Sequence, residues 1–163
     1  MKKVLVVYFS RSGNTAKVAR AIANAFDADI EAIDDTTSRS GLFGYLLSGY
    51  EAGRRRLPRV GAPKHDLGRY ELVVVGTPVW NMNVSSPVRA FLVRNRKDLP
   101  RVAFFCTCGG RGGQRAFREM AAACGKSPTD VLVLREADLA RDWSEDVDRF
   151  ARDIRAALEP KAA

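Results

Sequence analysis

Tyr8-Phe9-Ser10-Arg11-Ser12-Gly13-Asn14-Thr15 joins the apolar run Val4–Phe9 to a stretch in which Val18, Ala19, Ile22, Ala23 and Phe26 share one stripe. The run is short, rich in valine and apolar without strict alternation, the pattern of a parallel strand covered on both faces. The stripe has the i, i+3, i+4 spacing of a helix that buries one side, with Lys17 and Arg20 facing away. A strand turning directly into a helix is half of a strand-helix-strand crossover.

The same alternation recurs along the chain. Leu72–Val75, Val102–Cys106 and Val131–Leu134 are further short apolar runs, and Asp29–Asp34 is a weaker one suited to a sheet edge. Between them, Ser85 or Ser86 can cap a helix with Pro87 near its first position and Val88, Phe91 and Leu92 on the buried side. Ala116–Cys124 predicts another helix ending at Gly125, and Val147, Phe150, Ala151, Ile154 and Leu158 mark the last. Such an order implies right-handed crossovers and a doubly wound parallel sheet with helices on both faces. Residues 36–69 are the least regular. Within them Phe43, Leu46, Leu47 and Tyr50 share helical spacing that reads as core packing, with Arg54–Arg56 at that helix's C-terminal dipole, and Leu57–Arg69 reads as an exposed connection. We expect one domain over 1–159 and a frayed tail at 160–163.

Composition narrows the functional classes. The chain has 163 residues, 46% of them hydrophobic, but no apolar run long enough to span a membrane. Val4–Phe9 behind Lys2 and Lys3 lacks the length and cleavage site of a signal peptide, so a cytoplasmic location is expected. Cys106, Cys108 and Cys124 read as free thiols, and the single histidine, His65, lies too far along the chain from them to suggest a zinc site. Lysine and arginine number 27 against 19 acidic residues, a formal charge of +8 that favours acidic or phosphate-bearing partners. No helix-turn-helix, RNP or zinc-finger pattern accompanies the charge, so no specific nucleic-acid role is expected.

Three segments follow strands at the end where open parallel sheets bind ligands. In the first, the hydroxyls of Ser10, Ser12 and Thr15, with amides freed by a tight turn at Gly13, surround a position for a phosphate at the positive end of a helix. Neither the Walker A spacing nor the Rossmann glycine pattern is present. The second segment is Thr77-Pro78-Val79-Trp80-Asn81-Met82-Asn83, whose indole is expected to stack on a planar ligand, the alternative being that it fills the core beneath. The third is Thr107-Cys108-Gly109-Gly110-Arg111-Gly112-Gly113, whose glycines let backbone amides approach a planar ring.

The segment from Tyr8 to Thr15 resembles the phosphate loop of the flavodoxin family, [ST]-x-[ST]-G-x-T after the first strand, and the order of strands, helices and loops resembles that family over nearly the whole chain. The resemblance implies a five-stranded flavodoxin-like sheet of order 2-1-3-4-5 and bound flavin mononucleotide (FMN). It implies that Ser10, Ser12, Asn14 and Thr15, with the Gly13 amide and Arg11 nearby, hold the FMN phosphate, and that the second and third segments enclose the ring. Two features depart from the family pattern. The second loop lacks its usual glycine, for which Asn81 is the residue best able to substitute at positive φ. The third lacks the tyrosine that covers the flavin in many carriers, and those carriers are acidic where this chain is basic. The missing tyrosine and the basic charge favour a reductase that takes hydride from NAD(P)H and passes it to a quinone-like acceptor. A one-electron carrier serving a redox protein partner and a flavin-free binding domain remain as alternatives. Relatives that pair as dimers and tetramers make a homo-oligomer possible. A phospho-receiver role is disfavoured, because Ser10 and Thr77 stand where that chemistry needs clustered aspartates.

Overall fold

The structure, a computed structural model, describes residues 3–35 and 57–159 together with Gly44 and Tyr50. The strands are β1 (Val4–Tyr8), β2 (Asp29–Ala32), β3 (Leu72–Trp80), β4 (Asn83–Val84), β5 (Arg101–Cys108) and β6 (Val131–Arg135). Five run parallel in the order β2-β1-β3-β5-β6, and the short β4 pairs antiparallel with β3. Setting β4 aside, this is the expected 2-1-3-4-5 arrangement.

The side chains of the central strands alternate between two cores. Leu5, Val7, Val73, Val75, Phe104 and Cys106 face helices α2 (Ser86–Asn95) and α3 (Gly113–Cys124). Val4, Val6, Leu72, Val74, Ala103 and Phe105 face α1 (Asn14–Phe26) and α5 (Ser144–Leu158). A short helix, α4 (Glu136–Leu139), follows β6. Burial on both faces explains why these strands read as unbroken apolar runs. Each valine, leucine or phenylalanine among them contributes about 1.5–3 kcal/mol by leaving water.

Two sequence expectations are corrected here. Ser85 occupies the N-cap position of α2 but makes no capping bond with its side chain; its Oγ instead accepts from Thr77 Oγ1 at 3.0 Å. The strand expected to end at Val75 runs on to Trp80, because β5 continues beside it through Thr107 and β4 folds back on its end. The connection Leu57–Arg69 is largely exposed, as expected, yet it is pinned at two points. Glu31 of β2, itself buried, accepts from the amides of Lys64 and His65 and lies 2.5 Å from His65 Nδ1, while Leu67 is buried in a single 3-10 turn. The helical reading of Phe43–Tyr50, the arginines at 54–56 and the tail at 160–163 lie outside the described residues, save Gly44 and Tyr50. Among the described residues no helix is long and apolar enough to cross a membrane.

Candidate functional site

The carboxyl ends of β1, β3 and β5 are neighbours in the sheet, so the three segments that follow them stand side by side. The chain leaves β1 toward one face of the sheet and β3 toward the other, which opens a crevice between them.

At the first segment the backbone turns through Gly13 at φ 101°, a left-handed conformation that costs any residue with a Cβ about 1–2 kcal/mol. Ser10 Oγ accepts from the Gly13 amide at 3.1 Å and fixes the turn. Helix α1 then begins with no side-chain cap and no acidic residue in its first turn. The positive end of its dipole is left uncompensated by the chain itself, and outward-pointing amides remain there for an anion. Thr15, buried in that first turn, lies 2.7 Å, Oγ1 to Oγ1, from Thr107 at the end of β5. This hydroxyl pair locks the first segment to the third.

A cleft of about 220 Å³ opens over this junction. From the first segment it is lined by Arg11, Ser12, Asn14 and Thr15; from the second by Pro78, Val79 and Trp80; from the third by Thr107, Cys108 and Gly109. Glu136 and Leu139 of α4 complete the wall. Sequence reasoning missed this pair, because a helix of one turn carries no periodic stripe. Trp80 meets Phe9 edge-on with centroids 5.5 Å apart and is only 8% exposed, so most of the indole is core and its remainder faces the cleft. Gly109 and Gly110 have open space where a Cβ would stand, so neither neighbouring protein atoms nor positive φ requires glycine there.

Other predicted residues have different places. Thr77 is fully buried and bonded to Ser85, and Asn83 pairs with Trp80 in the hairpin. Asn81 and Met82 form the hairpin's two-residue turn at φ 47° and 61°, a pairing of positive angles typical of a type I′ turn. Asn81 thus does adopt the left-handed conformation expected of it. Glu119 of α3 anchors this hairpin: its Oε2 accepts from the Val84 amide at 3.1 Å and from Arg89 of α2 at 2.9 Å. Gly112, at φ 98°, lets the third segment lie against the turn; a Cβ there would stand 2.8 Å from Met82 Cα.

Met82, Gly110, Arg111, Gly112 and Gly113 line a second cleft of about 380 Å³ on the other side of the third segment, with Cys108 shared between the two. Arg111, Arg115 and Arg135 make its rim cationic. A larger groove of about 710 Å³ lies between α2 and α3 and shares Arg115 with the second cleft, but none of the residues that line it comes from the first segment or from α1. We place the candidate site at the strand ends, where the polar donors converge. Cys106 and Cys108, two apart on β5, share one face of the strand. The neighbouring Cys106 thiol, the Arg135 charge and the Gly110 amide together outweigh burial and hold the Cys108 thiol below its usual value. The Cys108 thiol and burial push Cys106 up.

No protein-family model and no curated protein matches the sequence. Among solved structures, the chain is similar to a flavoprotein in complex with FMN from Lactobacillus acidophilus NCFM, with 21% identity and a TM-score of 0.71 over 82% of this chain and 93% of that one. A flavodoxin, WrbA-like protein from Agrobacterium tumefaciens matches at 17% identity and a TM-score of 0.58, covering 96% and 98% of the two chains. Oxidised flavodoxin 1 from Bacillus cereus matches at 17% identity and a TM-score of 0.58, covering 96% and 99%. The fold is flavodoxin-like.

Proposed function

We propose that this chain, having the flavodoxin-like fold, binds FMN in the cleft at its strand ends and works as an oxidoreductase. The observation that carries the reading is the start of α1: an uncapped, acid-free first turn behind a left-handed glycine, with Ser12, Asn14 and Thr15 beside it. A phosphate dianion is the ligand that such a turn satisfies best. Ser12, Asn14, Thr15 and the first-turn amides would hold the phosphate, and the Pro78–Trp80 and Thr107–Gly109 backbones would enclose the ring. The open space at Gly109 and Gly110 supports this, since it leaves room for a flat ligand to meet the main chain directly.

Bound FMN supplies hydride and electron transfer. The chain's own residues bind and orient it, and their charge selects what reaches it. We read the activity as NAD(P)H-dependent reduction of quinone-like acceptors. Arg111, Arg115 and Arg135 beside the second cleft offer paired donors for a dinucleotide phosphate, and no aromatic side chain from Thr107–Gly113 covers the adjoining cleft. The alternative is a one-electron carrier that depends on a partner reductase.

The spectrum of purified protein and mass analysis of the released cofactor test the first step, with stoichiometric FMN expected. Recovery of flavin adenine dinucleotide, or of no flavin after reconstitution, refutes it. Rapid mixing of the oxidised holoprotein with NADPH or NADH tests the second. Bleaching of the flavin without any added protein is expected, and its absence with both reductants transfers the assignment to the carrier.

A further inference from the structure

The two clefts at the strand ends differ in charge. The first holds one cation, Arg11, against one carboxylate, Glu136. The second is lined by Arg111, Arg115 and Arg135, with Gln114 beside them and no carboxylate in its wall. Two of these arginines are held in position: Arg135 Nε donates to the Gly110 carbonyl at 3.2 Å, and Arg115 Nε lies 3.6 Å from Glu119 Oε1. Glu119 also pairs with Arg89 at 2.9 Å, so its one charge is shared and does not neutralise the cleft. Helix α3 begins in the same wall behind the left-handed Gly112, with no side-chain cap and no acidic residue in its first turn, which adds the positive end of its dipole.

Resting on the reductase reading above, we propose that the second cleft is a phosphomonoester site that takes the 2′-phosphate of NADPH, and that Arg111, Arg115 and Arg135 thereby make the protein bind NADPH in preference to NADH. A phosphomonoester carries about −1.5 to −2 charges at neutral pH and three acceptor oxygens. A guanidinium offers parallel donors in a planar fork that matches two such oxygens at once, so several of them can surround one phosphate. Each phosphorus of a dinucleotide's pyrophosphate bridge has less charge and one fewer free oxygen, and it is common to both reductants. A cleft with three cations and no carboxylate therefore discriminates on the 2′ position, where one reductant bears a phosphate and the other a neutral hydroxyl.

The position of the cleft suits that role. Cys108 belongs to the walls of both clefts, so a dinucleotide anchored in the second by its adenosine end has a short path to a ring bound in the first. Along that path lie Gly109 and Gly110, with open space where their Cβ atoms would stand. The three arginines come from three different elements: Arg111 from the third segment, Arg115 from α3 and Arg135 from the last position of β6. Packing of the strand ends is what gathers them.

NADP⁺ and NAD⁺ differ only in the 2′-phosphate, and neither reduces a flavin. Calorimetric titration of the FMN-loaded protein, or of the protein as purified if it takes no flavin, is carried out with each in a phosphate-free buffer. NADP⁺ should bind about thirtyfold or more tightly than NAD⁺, from charge-assisted bonds to the extra phosphate. Arg111→Gln and Arg135→Gln should each cut that ratio about fivefold, and the double variant should bring it close to one. Arg152→Gln removes the same charge from the exposed surface of α5 and should leave the ratio as it is. Equal affinities for NADP⁺ and NAD⁺ overturn the assignment, as do a ratio that survives the double variant, an equal fall in Arg152→Gln, or release of FMN by NADP⁺. The comparison in the unmodified protein requires no variant to fold. Rapid mixing separates failure here from failure of the reductase reading. Selective binding of NADP⁺ without bleaching by NADPH keeps the phosphomonoester site and removes the reductase. Bleaching with the same second-order rate constant by NADPH and NADH keeps the reductase and overturns the site.

Discussion

Thr15 and Thr107 show how one pair of hydroxyls couples local stability to the site. Each is buried and satisfies the other at 2.7 Å, so Thr15→Val leaves the Thr107 hydroxyl stranded, at a cost of about 1–3 kcal/mol. Removing both partners is cheaper than removing one. The double variant Thr15→Val, Thr107→Val should therefore regain most of the lost stability in urea unfolding, yet bind FMN more weakly than the parent in titrations. Full recovery of affinity along with stability would mean that neither hydroxyl faces the phosphate. Met82 illustrates the opposite case, in which sequence and backbone conflict. It holds φ 61° in a turn that favours Asn-Gly, and it is 47% exposed. Met82→Gly should raise stability by about 1 kcal/mol in the same assay, since a left-handed conformation is costly for a residue with a Cβ. No gain would show that the side chain makes compensating contacts.

Among the elements, β2 and the connection before β3 carry the clearest pH signature. Tyr70 donates to Asp29 Oδ2 at 2.8 Å, and burial, that bond and the nearby acidic charge push its phenol up to about 12 from the usual 10. A raised folded-state pKa means that the neutral phenol is favoured by folding. The stabilisation is complete below the unfolded value of 10 and is lost as pH climbs through 12. Unfolding free energy should fall over that interval, and the fall should be shallower in Tyr70→Phe. Parallel pH profiles for the two proteins would show that the bond is not maintained in solution. The elements also show where local reading runs out. Parallel strands and amphipathic helices were legible, because each announces itself by period and composition. The extension of β3 to Trp80 was not, because it follows pairing with β5, distant in the chain; nor were the hairpin with β4, whose Asn81-Met82 turn lacks the usual glycine, and the one-turn α4, too short for a periodic stripe.

At the scale of the molecule, the net charge is +8, and the second cleft, beside the candidate flavin cleft, is rimmed by Arg111, Arg115 and Arg135. If NADPH is the reductant, its second-order reaction with the holoprotein should slow as salt rises. The Debye length shrinks from about 30 Å at 0.01 M to about 8 Å at 0.15 M, which screens long-range attraction of the dinucleotide. A rate indifferent to ionic strength would remove the role given to the positive field. The sequence by itself determined the doubly wound class, because covered strands and one-sided helices are properties of short segments. It also determined the phosphate-loop chemistry, since Ser10 to Thr15 are contiguous and their hydroxyls and turn lie within a few bonds of one another. Only the tertiary structure decided which residues meet across loops: the Thr15–Thr107 lock, the hold of Glu119 on the hairpin, the division of Trp80 between core and cleft, and the place of Cys108 between two clefts. Those juxtapositions depend on strand register and on how closely neighbouring loops pack, and residues many tens of positions apart carry no local pattern that announces their contact.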